Sequence, residues 1–446
     1  MKPQRHTRNR HGIPTPSNVP SIDHKHVVAK YVESLIPEYA GNEFIEALGP
    51  PLTAKQLATT MSNWPEYSEE ERNESATVRK LKLLRLNRIY VPLAQQHAVA
   101  QTLADMIRDG YVHRSPSKPE FNKFLQESYD RRNVEGIVES APDVTPICSS
   151  YAIIGVSGVG KSLLTRRALA QFPALIWHPT LRRYQIPYIV VECPHNGTVK
   201  QLILNFFTEL DKIAYTNYQK RFETRKLNVE ELIREVNAAA HLFGIGLIVI
   251  DEIQHASAAN GATAAKLFMN FLVRFVNTST APVVLIGTMS SLEMLQADFR
   301  QARRMLGALL TNYKPGDEWN SFLETVWKYQ WTKKLTPLDS HLSDVIYTNT
   351  QGVPALAVKL YQYAQRRAIE CRAEEITVEL LNEVAKDELT RVAPMVRALA
   401  EGDVSKLVKY GDLSIPDFVN PAMGNASLGL ENSLADLFKR LTNPEQ

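Results

Sequence analysis

Residues 155 to 162 read Gly-Val-Ser-Gly-Val-Gly-Lys-Ser and have the spacing of a phosphate-binding loop. The loop follows the apolar run 151–154 and leads into 163–171, which can form a helix, and the motif needs this context. Glycines allow a tight turn that points backbone N–H groups and a helix N-terminus at phosphate oxygens. Lys161 could then reach the β- and γ-phosphates, and the Ser162 hydroxyl could ligate Mg²⁺. The residues predicted to hold the nucleotide here are Gly155, Ser157, Gly158, Val159, Gly160, Lys161, Ser162 and Leu163.

A second motif, at 247–252, is a wholly apolar run that ends in two acids. Such a run predicts a strand buried inside a parallel sheet, with its carboxyl end beside the phosphate loop. Asp251 would hold Mg²⁺ directly or through water, and it belongs to the nucleotide-binding set. Glu252 is placed to polarise a water molecule for attack on the γ-phosphorus. The two motifs together predict a site that hydrolyses a nucleoside triphosphate with Mg²⁺, with Lys161 among its catalytic groups.

Thr288 ends the next apolar strand, 283–287. If that strand lies beside the strand of Asp251, the Thr288 hydroxyl could hold the attacking water or the γ-phosphate. A threonine followed by Met-Ser-Ser also suits a helix N-cap, and the two interpretations are compatible.

Three arginines, Arg300, Arg303 and Arg304, lie on the amphipathic segment 292–310, where the spacing predicts a helix. A guanidinium suits charge that is spread over three phosphate oxygens. If subunits form a ring or a helix, one of these arginines could reach a neighbour's nucleotide as a trans-acting catalytic group. The alternative for each of them is a solvated surface arginine.

The elements that would position these residues follow from changes of pattern along the chain. From about residue 150, short β-branched runs alternate with helical segments, which is typical of a parallel α/β sheet. The predicted strands are 151–155, 188–192, 247–251 and 283–287, and a helix over 229–243 precedes the third. Helical spacing is also found at 26–48, 53–62, 97–109, 340–348, 354–371 and 377–391.

Composition limits the class of protein. A chain of 446 residues with 44% hydrophobic and 22% charged residues is ordinary for a soluble protein of roughly two to four domains. Residues 1–22 carry four basic residues, no acid and several prolines, which predicts a mobile basic arm. No apolar run reaches the roughly 18 residues of a membrane span. Three scattered cysteines disfavour disulfides and zinc, and they fit a reducing cytoplasm.

Several phrases resemble the TnsC, TniB and MuB transposition regulators among the AAA+ ATPases, and the TnsC branch fits best. The phosphate loop at 155–162 looks like a Walker A motif, and the Asp251–Glu252 pair looks like a Walker B motif. After the polar strand end and the arginine-bearing segment comes what looks like a small helical lid. The more specific phrases are Glu-Cys-Pro-His-Asn-Gly-Thr-Val-Lys at 192–200 and Leu-Ile-Val-Ile-Asp-Glu-Ile-Gln-His at 247–255. Further similar phrases stand at 42–48, 110–114, 285–288, 299–304, 351–352 with 358–360, and 387–389, so the likeness covers roughly residues 40 to 415.

The resemblance implies an AAA+ P-loop α/β fold: a parallel sheet with helices on both faces, a helical N-terminal region and a small helical lid. It also implies a bacterial, cytoplasmic ATPase that uses ATP and Mg²⁺ and assembles into a homo-oligomeric ring or filament on double-stranded DNA. Such regulators recruit transposase subunits and a target-selector protein of the TniQ or TnsD type, some of them directed by CRISPR effectors. Hydrolysis of ATP then disassembles the oligomer.

The family places loops of the ATPase core against DNA. The residues that this predicts as DNA-binding are Lys200, Lys220, Arg221, Arg225 and Lys226. Contacts with phosphates need only charge and reach, so binding would be sequence-tolerant and salt-sensitive. The alternative for each residue is a solvated helix face. For the interleaved Tyr218 and Phe222, core packing is a commoner explanation than base stacking.

Two features depart from the family pattern. The lid turn reads Gly352-Val353-Pro354-Ala355, where many AAA+ proteins have an arginine after Gly-x-Pro. Alanine cannot bind phosphate, so the lid must be coupled to nucleotide by another group, for which Lys359 is a candidate. The tail after the lid is short, and the amphipathic segment 430–441 is the part of it available for partner contacts.

The predicted organisation is a basic arm at 1–25, a helical N-terminal region at 26–140, an α/β nucleotide-binding core at 141–335, a lid at 336–393 and a tail at 394–446. Two other functions stay open. One is a P-loop helicase or signalling NTPase that acts directly on its own substrate. The other is a binding scaffold whose nucleotide never turns over, against which the intact Glu252 argues.

Overall fold

The computed structural model describes residues 26–92, 94–119, 121–123, 126, 150–195, 197–223, 228–258, 262–291, 295, 305–403 and 406. The basic arm 1–25, the amphipathic segment 430–441 and the arginines Arg300, Arg303 and Arg304 lie outside these residues. In the described part of the chain, no helix has both the length and the apolarity that crossing a bilayer requires.

Eight strands are found in the described residues, and they form two sheets. The strands are β1 (His26–Val28), β2 (Ser150–Gly155), β3 (Leu175–His178), β4 (Arg183–Gln185), β5 (Ile189–Glu192), β6 (Ile248–Asp251), β7 (Val283–Gly287) and β8 (Met305–Leu310). The larger sheet is wholly parallel in the order β5-β6-β7-β2-β8. The smaller sheet has the order β1-β3-β4. Because the carboxyl ends of β2, β6 and β7 meet at one edge, the two acids and the phosphate loop are brought together.

The helices surround these sheets. They are α1 (Glu43–Glu46), α2 (Ala54–Met61), α3 (Ala76–Lys82), α4 (Ala94–Asp109), α5 (Lys161–Leu169), α6 (Val199–Ala214), α7 (Tyr218–Glu223), α8 (Val229–Leu242), α9 (His255–Ala258), α10 (Ala262–Thr278), α11 (Asp317–Trp327), α12 (Ser340–Thr350), α13 (Pro354–Glu370), α14 (Val378–Glu388) and α15 (Ala393–Glu401). Short 3₁₀ turns span Glu69–Asn73, Leu83–Arg88 and Thr390–Val392.

The α/β fold class predicted from the sequence is confirmed. The four predicted core strands are observed as β5, β6, β7 and β2, each within one residue of its predicted ends. All residues of β6 and β7 are buried. Because successive side chains of a strand point to opposite faces, burial of every residue requires helices on both faces of the sheet. On one face, β5 and β6 pack against apolar side chains of α6, α8 and α10 around a small apolar cavity.

Two helix predictions are wrong. The end of the predicted helix 292–310 is strand β8, which pairs with β2 over its whole length. A Cβ on Gly307 would lie 2.9 Å from the carbonyl oxygen of Ala152, so glycine allows this close approach. The predicted helix 26–48 begins instead with β1, parallel to β3, and only Glu43–Glu46 is α-helical. Short apolar runs suit either structure, and strand pairing decides between them.

The lid helices begin at side chains that the sequence supplies for capping. Asp339 accepts the backbone N–H of Leu342 at the start of α12, and Thr377 accepts that of Leu380 at the start of α14. Pro354 occupies the first turn of α13, where its missing N–H costs nothing. The observed bounds lie within three residues of those predicted for these three helices.

The lid is fastened to the N-terminal region by a buried ion pair. The guanidinium of Arg79, which is 1% exposed, donates to both carboxylate oxygens of Glu374 at 2.6 and 2.7 Å. It also donates to the carbonyl oxygen of Trp331 at 2.7 Å. These contacts, chiefly the hydrogen bond from Arg79, lower the pKa of the Glu374 carboxyl. Moving the segment around α3 away from the lid would therefore separate two buried charges, which is costly in free energy.

We predict that Glu374→Gln lowers the free energy of unfolding by about 3 kcal/mol, because Arg79 is left buried without its charge partner. A carboxyl whose pKa is lowered by folding stabilises the protein above its ordinary pKa and loses that effect as pH falls. The difference between the wild type and Glu374→Gln should therefore shrink in acid. Urea unfolding followed by tryptophan fluorescence at neutral and acid pH measures both effects.

Glu375 provides the matched control, since it is the next residue and its ion pair with Lys334 is exposed. Glu375→Gln should cost less than about 1 kcal/mol. Equal losses in the two variants would show that the Arg79 pair does not fasten the lid.

Candidate functional site

The phosphate loop connects β2 to α5 and is shaped by glycines. A Cβ on Gly155 would collide with the carbonyl oxygen of Leu310 in β8, so only glycine fits there. Gly158 and Gly160 have φ angles of 83° and 91°, in the left-handed region that favours glycine. Gly160 is the N-cap of α5 and makes no side-chain capping hydrogen bond. The first N–H groups of α5 are thus left without a side-chain cap at the place where a phosphate would lie.

Lys161 is folded into this loop. Lys161 is 8% exposed, and its ammonium donates to the carbonyl oxygens of Gly155 at 3.0 Å and Val156 at 3.1 Å. A lysine held over the loop in this way places a positive charge beside the uncapped N-terminus of α5. Both features attract the same ligand, an anion with several oxygens.

The Ser162 hydroxyl lies against the Asp251 carboxylate and donates a hydrogen bond to it. Asp251 is 5% exposed, and desolvation by burial raises the pKa of its carboxyl. The hydrogen bond from Ser162, the backbone N–H of Glu252 and the charges of Arg166 and Lys161 oppose that rise. A buried carboxylate beside a hydroxyl is a set of hard oxygen ligands that fits Mg²⁺, whose charge would offset the cost of burying Asp251.

Glu252 follows immediately and has an unusual backbone. Its φ angle is 59°, which is uncommon for a residue with a side chain and costs of the order of 1–3 kcal/mol. Its N–H donates to Asp251 Oδ1 at 2.9 Å, and the next N–H, of Ile253, donates to the carbonyl oxygen of Ile286 at 3.0 Å. The bond of Ile253 thus keeps the chain joined to β7 directly after this turn.

Thr288 lies where the sequence predicted, at the end of the strand beside β6. It is 3% exposed, and its hydroxyl shares a hydrogen bond of 2.8 Å with the Ser290 hydroxyl. Its backbone N–H donates to Oε1 of Gln254 at 3.2 Å. Gln254 was not among the predicted residues, although it lies within the phrase 247–255; a glutamine two residues after an acid carries no sequence signal of its own.

The lid touches the phosphate loop through its backbone. The N–H of Ala355, in the first turn of α13, donates to the carbonyl oxygen of Gly158 at 3.3 Å. Val353 packs on the same glycine, so that a Cβ on Gly158 would lie 3.0 Å from Val353 Cγ1. Ala355 thus contacts the loop without a charged side chain, while Lys359 is exposed one turn further along α13.

Three of the residues predicted to bind DNA are described. Lys200, Lys220 and Arg221 are all exposed, and the Lys200 ammonium donates to the carbonyl oxygen of Glu223 at the end of α7 at 3.3 Å. The start of α6 and the end of α7 therefore meet at one surface. Phe222 is fully buried against Phe207, as core packing predicts. Arg225 and Lys226 lie outside the described residues.

Comparison with known proteins agrees with this architecture. Residues 148–295 match the sequence profile of the AAA domain. No curated protein matches the chain.

Among solved structures, the Walker-type ATPase PABY2304 of Pyrococcus abyssi aligns with 72% of this chain and 89% of its own, at 15% identity and a TM-score of 0.35. The Orc1 protein of Aeropyrum pernix in complex with DNA aligns over 61% of this chain and 65% of its own, at 20% identity and a TM-score of 0.37. RuvB of Thermotoga maritima aligns over 64% and 81%, at 13% identity and a TM-score of 0.30. These likenesses are too loose to bear on function. The profile match and the parallel sheet that carries the phosphate loop show that residues 148–295 contain an AAA domain.

Proposed function

We propose that this protein is an ATP-dependent transposition regulator. It assembles as a homo-oligomeric ring or filament on double-stranded target DNA and links a target-selection complex, of the TniQ or TnsD type, to transposase subunits. Hydrolysis of ATP then disassembles the oligomer. The domain boundaries predicted from the sequence are part of this proposal.

The observation that carries the ATPase part is the arrangement of Lys161, Ser162 and Asp251 at one edge of the sheet. The ammonium group and the uncapped start of α5 would hold the phosphates. Ser162 and Asp251 would hold Mg²⁺, which supplies positive charge to the β- and γ-phosphate oxygens when bound. A site of this kind favours transfer of the γ-phosphoryl group, because catalysis there is mostly positioning and charge stabilisation.

In hydrolysis, a water oxygen would form a bond to the γ-phosphorus and give up a proton to the Glu252 carboxylate, while the bond to the β-γ bridging oxygen breaks and ADP and inorganic phosphate leave. Glu252 would orient this water and polarise it through its carboxylate. Thr288 would position the water or the γ-phosphate from the neighbouring strand end. One of Arg300, Arg303 and Arg304 would stabilise the developing charge on a neighbouring subunit's nucleotide.

The DNA and transposition parts rest on the family phrases and on the exposed basic surface of Lys200, Lys220 and Arg221. These side chains belong to adjoining helix ends and could reach successive phosphates without reading base edges. The tail 394–446 is assigned to partner contacts, since its amphipathic segment 430–441 lies beyond the lid. The alternative function remains a P-loop helicase or signalling NTPase that acts on its own substrate.

We predict that the protein forms rings or helical filaments on double-stranded DNA with a non-hydrolysable ATP analogue, and few with ADP. Lys161→Ala should lose this assembly, because the loop would no longer hold the triphosphate. Negative-stain electron microscopy measures both. Monomers under every condition would favour the helicase or signalling alternative, and assembly without ATP turnover would favour a scaffold.

We also predict that replacing Lys200, Lys220 and Arg221 together by glutamate weakens duplex binding by at least about tenfold and reduces its salt dependence. Lys212→Glu is the control, because Lys212 lies on the same helix α6 but is paired with Glu209 at 2.6 Å. Fluorescence anisotropy across a series of salt concentrations gives both quantities. An unchanged salt dependence in the triple variant would remove this surface from the DNA contacts.

A further inference from the structure

Gln254 joins the two strand ends that carry the proposed catalytic groups. It is 2% exposed, and its Nε2 donates a hydrogen bond to Oε2 of Glu252. Its Oε1 accepts the backbone N–H of Thr288 at 3.2 Å. One buried amide therefore contacts the carboxylate at the end of β6 and the backbone just after β7.

The orientation of this amide follows from its partners. A backbone N–H can only donate, so the amide oxygen of Gln254 must face Thr288. The NH₂ group must then face Glu252, whose ionised carboxylate can only accept. Rotating the amide by half a turn would set donor against donor at Thr288 and acceptor against acceptor at Glu252. Because the amide is buried, bulk water cannot replace the two bonds.

The backbone around Gln254 is also fixed. Ile253 is fully buried and donates its N–H to the carbonyl oxygen of Ile286 in β7, and the carbonyl oxygen of Ile253 accepts the N–H of Ala256 at 3.1 Å. The start of the Gln254 side chain therefore has little freedom. By contrast, the Glu252 side chain is half-buried and has three rotatable bonds, so it needs a partner to hold one rotamer.

We propose that Gln254 is a positioning residue for ATP hydrolysis. It holds the Glu252 carboxylate at a fixed position relative to Thr288. This inference rests on the proposed function and adds a residue to it. A general base must lie within hydrogen-bond reach of the water that it polarises. Because Gln254 bonds both to the Glu252 carboxylate and to the backbone of Thr288, a displacement of Thr288 would also displace that carboxylate.

Gln365 in the lid provides a matched control. It is fully buried, its Oε1 accepts the N–H of Trp331 at 2.8 Å and its Nε2 donates to the carbonyl oxygen of Tyr329 at 2.9 Å. Both glutamines are buried, and in each the amide oxygen accepts a backbone N–H while the NH₂ group donates to an oxygen. They differ in that the NH₂ group of Gln365 donates to a backbone carbonyl oxygen, whereas that of Gln254 donates to a proposed catalytic carboxylate.

The test replaces each glutamine by glutamate, which has the same shape and keeps the acceptor for the backbone N–H. Gln254→Glu exchanges the donor facing Glu252 for a second carboxylate, so kcat for ATP should fall about 10- to 100-fold while KM changes by less than about threefold. Gln365→Glu should lose stability with kcat unchanged. Steady-state ATPase assays on the full chain, with binding of a fluorescent ATP analogue and thermal unfolding, give these quantities.

Gln254→Met, of similar length but without polar atoms, is the second variant if Gln254→Glu fails to fold, and kcat should fall in it too. In a Glu252→Gln background, Gln254→Met should lower kcat no further, because both changes remove the same function. Wild-type kcat in a folded Gln254 variant, or equal losses from Gln254 and Gln365, would overturn the positioning role. Full activity of Glu252→Gln alone would instead refute the catalytic assignment of Glu252 in the proposed function.

Discussion

A carboxylate buried at the end of a parallel strand is the constraint on which this structure depends. Asp251 ends a strand whose residues are all buried, and its pKa is raised because water cannot solvate the charge. The protein offsets part of that cost with the Ser162 hydroxyl and a backbone N–H. Such a group is retained at a cost to stability, and a bound cation would recover that cost. The order of the strands brings the phosphate loop to this carboxylate.

The same edge of the sheet also meets the lid and, through the lid, the N-terminal region. Ala355 and Val353 contact the loop at Gly158, and Glu374 further along the lid is paired with Arg79. A displacement of the loop by phosphate would act on Ala355 first. The backbone bond between Ala355 and Gly158 joins the lid to the loop without an arginine at this position.

Local spacing in the sequence predicts part of the candidate site. It picks out the loop glycines, Lys161 and the Asp251–Glu252 pair, because their order along the chain is tied to the backbone shape that they need. The spacing predicts a helix where strand β8 is found, since a run such as Met-Leu-Gly-Ala-Leu-Leu packs in either form until β2 pairs with it. The bonds of Gln254 with Thr288 and of Ala355 with Gly158 join distant parts of the chain, and neither has a pattern that could be read in advance.

Thermal unfolding of the wild type and Lys161→Ala, with and without a non-hydrolysable ATP analogue and Mg²⁺, tests the central claim most directly. A ligand that binds only the folded state raises the free energy of unfolding by RT ln(1 + L/Kd), where L is the free ligand concentration. The wild type should therefore unfold at a higher temperature with the analogue and Mg²⁺ together, and Lys161→Ala should show no such rise. An equal rise in both proteins would contradict the claim that the loop at 155–162 holds the triphosphate.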